Sequence, residues 1–269
     1  MVDFEYKDFY DVEDLEKIIA LLRSEDGCPW DIEQTHGSIR RNFLEETYEV
    51  CEAIDDGNPE SLREELGDVL TQVLFHARIE EEAGRWKFSD VADGVCKKLI
   101  FRHPHVFGEK SVAGVGEVLS NWDELKRIEK KQSDVASAMD SVAKSLPALW
   151  RAEKIQIKAK KVGFDWPDAT GAWDKLMEEQ GELEEAIEAK SNVEEELGDL
   201  LFSTVNVARF YGLDPETALH KACDKFTRRF RYMEDLASEK GKKLSDMPID
   251  EMEALYVQGK ERLESTSVL

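Results

Sequence analysis

The sequence has no long apolar stretch and few cysteines, and both shortages narrow the classes of protein to which it can belong. No segment approaches the roughly 18 consecutive apolar residues that a membrane-spanning helix needs. The N-terminal segment MVDFEYKDFY is acidic and has no apolar run, so we expect no signal peptide. The four cysteines, Cys28, Cys51, Cys96 and Cys223, form no C-x-x-C pair and no zinc-type spacing. We therefore expect a cytoplasmic protein with reduced thiols and no membrane association.

Basic residues are outnumbered, and this limits the partners of the protein. The chain has 36 Lys and Arg against 59 Asp and Glu, which gives a formal net charge of −23 at pH 7. Such a surface repels a nucleic-acid polymer or an anionic membrane. It does not exclude a small phosphate ligand that arrives with a divalent cation. The 269 residues suffice for one large domain or two of ordinary size.

The two-residue alternation typical of β-strands is missing, whereas helical spacing recurs along the chain. In the segment LREELGDVLTQVL, apolar residues return at intervals of three and four. Asn58-Pro59 and Asp214-Pro215 each predict an N-cap residue followed by proline in the first helical turn. Ser89 is expected to cap a further helix. We predict an all-α fold in which each half is a small bundle of the four-helix type.

An acidic pattern occurs twice and divides the chain into similar halves. The pentapeptide EELGD stands at Glu64–Asp68 and again at Glu195–Asp199, and each copy follows another acidic cluster. The tryptophan-containing segments GCPWD and GFDWPD precede the two copies in the same order. This agreement indicates duplication of a helical unit. We predict domains at residues 1–132, which include a connector, and 133–269. A short helix in the connector is expected to contain Trp122, Leu125 and Ile128.

The spacing of the carboxylates predicts a metal site in each half. Residues i and i+3 of a helix share a face, so Glu179 points the same way as Glu182, and Glu196 the same way as Asp199. If the two helices are antiparallel neighbours, the four carboxylates converge, and their repulsion forces protonation unless a cation is bound. Ligation by oxygen alone favours Mg²⁺, or alternatively Mn²⁺, over zinc. The first half offers a second candidate site with the same residue types: Glu46, Glu49, Glu65 and Asp68.

A solvated acidic helix face is the alternative interpretation of this pattern. Because about a fifth of the residues are acidic, a template of four acidic positions is filled by chance about two times in a thousand, so about half a match is expected in the chain. Two copies in the same order are harder to explain in this way. A polar stripe also interrupts a mostly apolar helix, and such groups are costly to bury unless they are satisfied. The stripe consists of Glu196, Asp199, Ser203 and Asn206.

A basic segment follows the second acidic cluster and predicts phosphate binding. In KACDKFTRRFRYMEDL, Lys225, Arg228 and Arg229 fall on one helix face, next to a face with Phe226 and Phe230 that we expect in the core. The planar fork of arginine matches phosphate oxygens. The alternative is that this basic face simply balances the acidic residues.

Lys175 and the two glycines of the repeated LGD each allow two interpretations. Lys175 lies one turn before Glu179, so it can pair with that carboxylate or reach a ligand in the same place; the first half has Asn42 at the corresponding position. Gly67 and Gly198 are unfavourable inside a helix by about 1 kcal/mol relative to alanine. Either close helix packing or room for a ligand beside the aspartate explains them.

These motifs together resemble the MazG family of tandem-domain nucleoside triphosphate pyrophosphohydrolases, over nearly the whole chain. The segments that carry the resemblance are GCPWDIEQTH, LEETYEVCEAI, REELGDVLTQVLFHA, RHPHVFG, GFDW, EEELGDLLFSTVNVARF and KFTRRF. The acidic pattern matches the family signature E-E-x-x-E…E-x-x-D in both halves. The resemblance implies two tandem all-α MazG domains, the C-terminal one mainly catalytic, in a homodimer. It also implies Mg²⁺-dependent hydrolysis of an NTP or dNTP to the monophosphate and pyrophosphate.

The resemblance also implies roles for individual residues. The metal ligands would be Glu179, Glu182, Glu196 and Asp199, and the phosphate contacts would be Lys175, Lys225 and Arg229, with Arg228 beside them. Tyr256 replaces a tryptophan that is thought to contact nucleotide in the family, and tyrosine can still stack on a base. Glu178 or Glu182 is expected to take the proton of the attacking water.

Two other classes of function are weighed against this one. The first is a non-catalytic nucleotide-binding or regulatory helical bundle, and the intact second set of carboxylates argues against it. The second is a di-iron carboxylate bundle, which needs two E-x-x-H pairs. Only Glu33 and His36 have that spacing. The histidines are otherwise expected to be structural: His36, His76, His103, His105 and His220.

Overall fold

Helices account for all regular secondary structure in the computed structural model, which describes residues 4–109, 111–129 and 135–266. No β-strand occurs among these residues, which confirms the all-α prediction. None of their helices is long and apolar enough to span a membrane. The chain divides into two units, Met1–Lys126 and Arg127–Leu269. The predicted boundary between residues 132 and 133 lies outside the described residues and stays a prediction.

The first unit contains two long helices, two of intermediate length and two short ones, and a seventh helix extends past its end. Their bounds are α1 Val12–Leu22, α2 Pro29–Glu33, α3 Arg40–Asp55, α4 Pro59–Glu82, α5 Phe88–Arg102, α6 Pro104–Phe107 and α7 Val115–Glu129. The last of these includes the short connector helix predicted from the sequence, and it is longer than expected.

Helices α3 and α4 form an antiparallel hairpin whose turn matches the sequence prediction. Asn58 precedes Pro59, and its side-chain oxygen accepts hydrogen bonds from the backbone N–H groups of Glu60 and Ser61 at 3.1 and 3.2 Å. Gly57 has a φ of +63°, which glycine adopts without steric cost. The hairpin packs against α1 around a small core of Ile19, Ile39, Leu74 and Phe75.

The prediction that Ser89 caps a helix is wrong. Helix α5 begins at Phe88, so Ser89 lies inside its first turn. The carboxylate of Asp90 reaches back instead and accepts a hydrogen bond from the backbone N–H of Lys87 at 3.0 Å. The capping interaction at this helix end therefore comes from Asp90 and not from Ser89.

The second unit consists of two helical hairpins and the shorter helices that precede them. The helices are α8 Val135–Asp140, α9 Ala148–Lys160, α10 Ala169–Ala189, α11 Val193–Phe210, α12 Pro215–Glu239 and α13 Ile249–Thr266, with a turn of 3-10 helix at Leu244–Asp246.

Helices α10 and α11 form the hairpin that carries the second acidic cluster. Their connection is three residues long, and Lys190 and Asn192 within it have φ values of +53° and +56°. A connection this short makes the two helices antiparallel neighbours, as the carboxylate argument required. Ala172 and Val205 are fully buried in this unit.

Helices α12 and α13 form the other hairpin, which begins with the predicted cap. The Asp214 carboxylate accepts a hydrogen bond from the backbone N–H of Thr217 at 2.9 Å. The hairpin buries an apolar cluster of Met233, Ala237, Met247 and Leu255.

The expectation that Phe226 and Phe230 lie in the core is wrong for the described residues. Their exposed fractions are 55% and 39%. Met233 lies on the same face of α12 as the two phenylalanines and is 4% exposed, so α13 covers this face at Met233 and leaves it partly open at Phe230 and Phe226. Both rings line a groove of about 420 Å³ with Tyr256.

Candidate metal centre

Three carboxylates of the second unit meet where the first turns of α11 lie beside the middle of α10. One oxygen each of Glu179, Glu196 and Asp199 can be chosen so that all three lie within 4.8 Å of one another. Glu179 is buried, Glu196 is half-buried and Asp199 is exposed, so the group runs from the interior of the hairpin to its surface. The antiparallel hairpin thus brings together residues from both acidic segments.

Glu179 has a buried oxygen that nothing in the described part of the chain satisfies. Its residue is 6% exposed, and its Oε2 has no hydrogen-bond partner there. Leaving a buried acceptor unpaired costs about 1–3 kcal/mol, and more when the group is charged. A hard divalent cation is satisfied by carboxylate oxygens alone, which is the donor set that this site offers. The residues therefore fit such a cation.

Glu182 lies beside this group without belonging to its closest three members. A hydrogen bond with Glu179 raises the pKa of Glu182, and partial loss of contact with water raises it further. The side chain is exposed, one turn after Glu179 on the same face of α10. Glu182 is therefore a fourth carboxylate within reach of the centre.

Lys175 is the basic group that contacts the centre. Its Nζ lies 2.7 Å from Glu178 Oε1 and 2.7 Å from Glu179 Oε1. These hydrogen bonds, that to Glu178 first, raise the pKa of Lys175 well above its usual range. The pairing with Glu179 that the sequence spacing suggested is formed, and Glu178, which is mostly exposed, shares the ammonium group.

The basic residues of α12 differ in how exposed they are and in the contacts that they make. Lys225 and Arg228 are exposed, and neither forms an ion pair with another described residue. Arg229 is half-buried. Tyr256 lies on α13 with its ring centroid 5.7 Å from that of Phe226, in the open groove between α12 and α13.

The first unit contains a similar but less compensated cluster. Oxygens of Glu46, Glu49 and Glu65 lie within 4.8 Å of one another. Burial, together with the nearby Glu49 carboxylate, raises the pKa of Glu46 and of Glu65, and the charge of Asp68 raises both further. Asn42 stands where the second unit has Lys175, so this position supplies no ammonium group to offset the repulsion.

The glycines of the two LGD segments are not explained by packing inside the described chain. A Cβ built on Gly67 or Gly198 would meet no described atom within 4 Å. Of the two explanations left open by the sequence, close packing against another described helix is therefore excluded at both positions. Room beside the aspartate is consistent with this geometry.

A polar network in the first unit was not anticipated from the sequence. Nδ1 of His36 lies 2.7 Å from Nδ1 of His76, and Nε2 of His36 lies 2.6 Å from Glu80 Oε1. Arg85 also donates to the Glu80 carboxylate, and this contact is the main reason that the pKa of Glu80 is lowered to about 2. His36 therefore pairs with Glu80 and not with Glu33, its partner in the E-x-x-H spacing. Contacts this distant in sequence leave no local signal.

Comparison with known proteins finds the same domain in each half of the chain. The sequence model of the MazG nucleotide pyrophosphohydrolase domain matches residues 34–107 and 170–233. The chain is 44% identical over 248 residues to a Thermotoga maritima protein named nucleoside triphosphate pyrophosphohydrolase/pyrophosphatase MazG, covering 92% of this chain and 95% of that one. It is also 44% identical over 248 residues to the Escherichia coli K12 nucleoside triphosphate pyrophosphohydrolase, covering 90% and 94%. A Bacillus subtilis protein, YabN, is 46% identical over 256 residues, which are 94% of this chain and 52% of YabN.

Proposed function

Because the chain belongs to the MazG nucleotide pyrophosphohydrolase family, we propose that it hydrolyses nucleoside triphosphates, NTPs or dNTPs, to the monophosphate and pyrophosphate with Mg²⁺. The observation that carries this proposal is the buried Oε2 of Glu179, which has no partner among the described residues and lies beside the carboxylates of Glu196 and Asp199. Two relatives that align with nearly their whole length to this chain are named for that reaction, which supports the reaction class.

Glu179, Glu196 and Asp199 would hold the cation, and Glu182 would supply a fourth carboxylate. Mn²⁺ accepts the same oxygen donors and is the alternative ion. When bound, such a cation would neutralise phosphate oxygens of the substrate and would lower the pKa of a water molecule that it holds. The carboxylates of Glu46, Glu49, Glu65 and Asp68 would form the second candidate metal site, in which Asn42 takes the place of Lys175.

Lys175 is placed to exchange one anionic partner for another. Its ammonium group is shared between Glu178 and Glu179. If Glu179 ligates a cation, it no longer pairs with Lys175, and Lys175 can then contact a phosphate oxygen of the substrate. Lys225, Arg228 and Arg229 would neutralise the charge that builds up on the departing pyrophosphate.

Two carboxylates are candidates for the proton acceptor. Glu178 is mostly exposed and loses its ammonium partner if Lys175 turns toward phosphate. Glu182 has a raised pKa, and a general base is more effective as its pKa approaches the working pH. Comparing the pH dependence of kcat/KM in Glu178→Gln and Glu182→Gln distinguishes them, because the acidic limb of the profile is lost with the true base.

We further propose that the protein acts as a homodimer, as its family resemblance implies. Large apolar side chains on the hairpin that carries the metal centre are exposed: Met177 by 57%, Leu197 by 46% and Leu201 by 49%. Contiguous exposed apolar groups mark interaction surfaces. Light scattering on the purified protein gives the molar mass and tests this directly.

The proposed reaction is tested by identifying its products. The protein is incubated with an NTP and Mg²⁺, or with the NTP and EDTA, and the products are separated by anion-exchange chromatography. We expect monophosphate and pyrophosphate with Mg²⁺ and neither product with EDTA. Glu179→Gln should abolish turnover, and Glu188→Gln, an exposed change on the same helix, should not. Diphosphate and orthophosphate as products, or full turnover of Glu179→Gln, would overturn the assignment.

The same assay separates the enzyme from a non-catalytic nucleotide-binding bundle. A binding module would retain affinity for the NTP with Mg²⁺ and release no pyrophosphate. Tyr256, which the family pattern suggests as a nucleotide contact, would then be needed for affinity alone.

A further inference from the structure

The GFDW segment at residues 163–166 has no part in the proposed reaction, although its sequence belongs to the repeated pattern. It lies between the end of α9 and the start of α10, and two of its side chains contact the α10–α11 hairpin. Asp165 contacts α11, and Trp166 contacts α10. The segment therefore connects the two helices that supply the carboxylates of the candidate metal centre.

Asp165 and Arg209 form a largely buried ion pair at the end of α11. Their side chains are 13% and 8% exposed, and both Nη1 and Nη2 of Arg209 donate to the carboxylate, Nη1 at 3.0 Å. Arg209 also donates to Asn206 Oδ1, from Nε at 3.2 Å and from Nη2 at 2.6 Å. The guanidinium group keeps the pKa of Asp165 below its usual range, so the carboxylate is charged at neutral pH. This two-pronged contact fixes the orientation of the two groups as well as their distance.

The polar stripe of α11 runs from the metal centre to this ion pair. It consists of Glu196, Asp199, Ser203 and Asn206, and the first two supply carboxylates to the centre. Its last member accepts hydrogen bonds from Arg209. Arg209 comes ten residues after Asp199, which is a rise of roughly 15 Å along the helix. A displacement of α11 at Arg209 therefore reaches the carboxylates, because a helix this short is a rigid element.

Trp166 holds the same segment on α10. A Cβ added to Gly171, in the first turn of α10, would lie 2.7 Å from Cδ2 of Trp166, so the indole ring rests directly on the glycine. An exposed hydrogen bond from Trp173 Nε1 to the hydroxyl of Tyr211, at 3.2 Å, lies at the same end of the hairpin. The segment is thus held on α10 by packing and on α11 by the ion pair.

Apolar packing alone does not fix this end of the hairpin. A pocket of about 410 Å³ lies between α9, α11 and the GFDW segment, with Trp166 and Phe202 among its lining residues. Side chains that face a pocket make fewer contacts than those in a packed core, so they restrain a helix less. Two polar contacts of the described residues hold α11 here. One is the Asp165–Arg209 pair, and the other is a hydrogen bond from Gln156 Nε2 to the carbonyl of Phe202 at 2.8 Å.

The metal centre depends on the register of α10 against α11. Oxygens of Glu179, Glu196 and Asp199 lie within 4.8 Å of one another, although they come from two helices. The short connection joins the helices at one end of the hairpin, and the ion pair closes the other end, with the centre between them. Metal–ligand distances tolerate only about 0.2 Å, so a small slip of one helix is enough to disturb the centre.

We propose that Asp165 and Arg209 are positioning residues for the reaction: their ion pair holds α11 in register with α10 and thereby keeps the three carboxylates of the metal centre together. The inference rests on the proposed function and deepens it. A buried ion pair contributes little net stability, because the loss of hydration of both charges offsets most of their attraction. Fixing one register is the best-attested use of such buried polar groups.

Calorimetric titration of Mn²⁺ into the nucleotide-free protein measures the centre without relying on turnover. Glu179→Gln identifies the binding event that belongs to this centre, because it removes that event. Asp165→Asn removes the charge and keeps the shape of the side chain, and Arg209→Met removes the guanidinium group. Each should weaken Mn²⁺ binding at the centre about tenfold, the lower end of the losses that follow when groups orienting metal ligands are removed. Arg209→Lys keeps the charge without the fork and should weaken binding only about threefold.

Trp150→Phe is the matched control for a loss of stability. Trp150 Nε1 donates to Asp214 Oδ1 at 2.9 Å, a contact between α9 and the start of α12 in the same unit that involves neither α10 nor α11. Thermal melting in EDTA should show a lower Tm for Trp150→Phe and for Asp165→Asn. Only Asp165→Asn should lose Mn²⁺ affinity in titrations at a temperature at which both variants are folded.

Steady-state kinetics separate positioning of the centre from contact with the substrate. Asp165→Asn should raise the Mg²⁺ concentration for half-maximal turnover about tenfold. Saturating Mg²⁺ should restore kcat to within about twofold of the wild type and leave the KM for the NTP unchanged within the same range, because neither residue contacts substrate. A KM that rises about tenfold at saturating Mg²⁺, with Mn²⁺ binding unchanged, would assign the pair to the substrate and overturn the positioning role.

The remaining outcomes separate the inference from the proposed function. Arg209→Lys keeps the buried charges paired, so it decides the question if the other two variants do not fold. Unchanged Mn²⁺ binding in every folded variant of the pair overturns the inference and leaves Asp165 and Arg209 as stabilising residues only. A wild-type protein that binds Mn²⁺ at the centre and releases no pyrophosphate overturns the proposed function alone. Mn²⁺ binding that survives intact in Glu179→Gln overturns the metal centre and the inference with it.

Discussion

Replacing Glu179 by glutamine should stabilise the cation-free protein while it destroys the response to Mg²⁺. The substitution keeps the shape of the side chain and removes its charge. Glu179 is 6% exposed, and its Oε2 is unpaired among the described residues, close to oxygens of Glu196 and Asp199. A glutamine amide at that position can donate to one of these two carboxylates. The repulsion among three negative groups becomes an attraction.

Two opposing free-energy contributions decide whether Glu179→Gln stabilises or destabilises the cation-free protein. Relieving a buried unpaired acceptor is worth about 1–3 kcal/mol. Against this, Lys175 loses one charged partner, but it keeps Glu178 at 2.7 Å and its side chain is 36% exposed. Glu179 is the buried member of its pair with Lys175, at 7% side-chain exposure, but the glutamine Oε1 still accepts a hydrogen bond from the ammonium group, so the loss is the charge of that bond, about 1 kcal/mol. The net gain is about 1 kcal/mol, and each kcal/mol raises the Tm of a chain of this size by about 2–4 °C.

Thermal melting in EDTA and in Mg²⁺ measures both effects. In EDTA, Glu179→Gln should melt a few degrees above the wild type. Mg²⁺ at a hundred times its Kd should stabilise the wild type by about 2.7 kcal/mol and should not stabilise the variant. Glu178→Gln is the matched control, since its side chain is 58% exposed; its melting should change little. A Glu179→Gln protein that melts below the wild type in EDTA, or that retains the Mg²⁺ response, refutes the reasoning.

Three further predictions concern other parts of the chain. Lys175→Met should tighten Mg²⁺ binding in the absence of nucleotide, because the Lys175 ammonium competes with the cation for Glu179, and it should raise the KM for the NTP. Calorimetry measures the first effect and steady-state kinetics the second. Weaker Mg²⁺ binding together with a lower KM would indicate that Lys175 only stabilises the helix. Leu201→Glu places a charge on the proposed dimer surface and should convert the dimer to monomers. Light scattering measures the molar mass, and an unchanged dimer mass would exclude this surface as the interface. Glu80→Gln should destabilise the first unit at pH 7, and the deficit should shrink as the pH falls from about 4.5 to 2. The pKa of Glu80 is lowered from 4.5 to about 2, so its contribution to the free energy of unfolding is fully present above pH 4.5 and is lost as the folded protein is protonated near pH 2. Urea unfolding at several pH values measures the difference between the two proteins, and a difference that does not change with pH would contradict this.

Local signals in the sequence were sufficient for the helices and for the carboxylate centre. Proline after an N-cap residue marked the starts of α4 and α12, since both determinants act within one helical turn. The i, i+3 spacing of the acidic residues fixed which carboxylates share a face, and a short connection made the two helices neighbours. Glu182 remained outside the closest group, because spacing gives the face of a helix but not the rotamer of a side chain.

Contacts between distant segments could not be predicted in this way. The phenylalanines of α12 follow a core-like spacing, yet whether a helix covers them depends on packing that no local pattern encodes. The hydrogen bond from the Gln156 amide goes to the carbonyl of Phe202, 46 residues later. The same holds for the Arg209–Asp165 pair that ties α11 to the GFDW segment. The polar stripe ending at Asn206 was visible in the sequence, but the pocket at its end was not.

The measurement that tests the central claim most directly is anomalous diffraction from crystals grown with Mn²⁺ and a non-hydrolysable NTP analogue. We predict an anomalous peak at bonding distance from carboxylate oxygens of Glu179, Glu196 and Asp199, and also from phosphate oxygens of the analogue. A peak only elsewhere, with these three side chains turned away from the bound phosphates, would contradict the account.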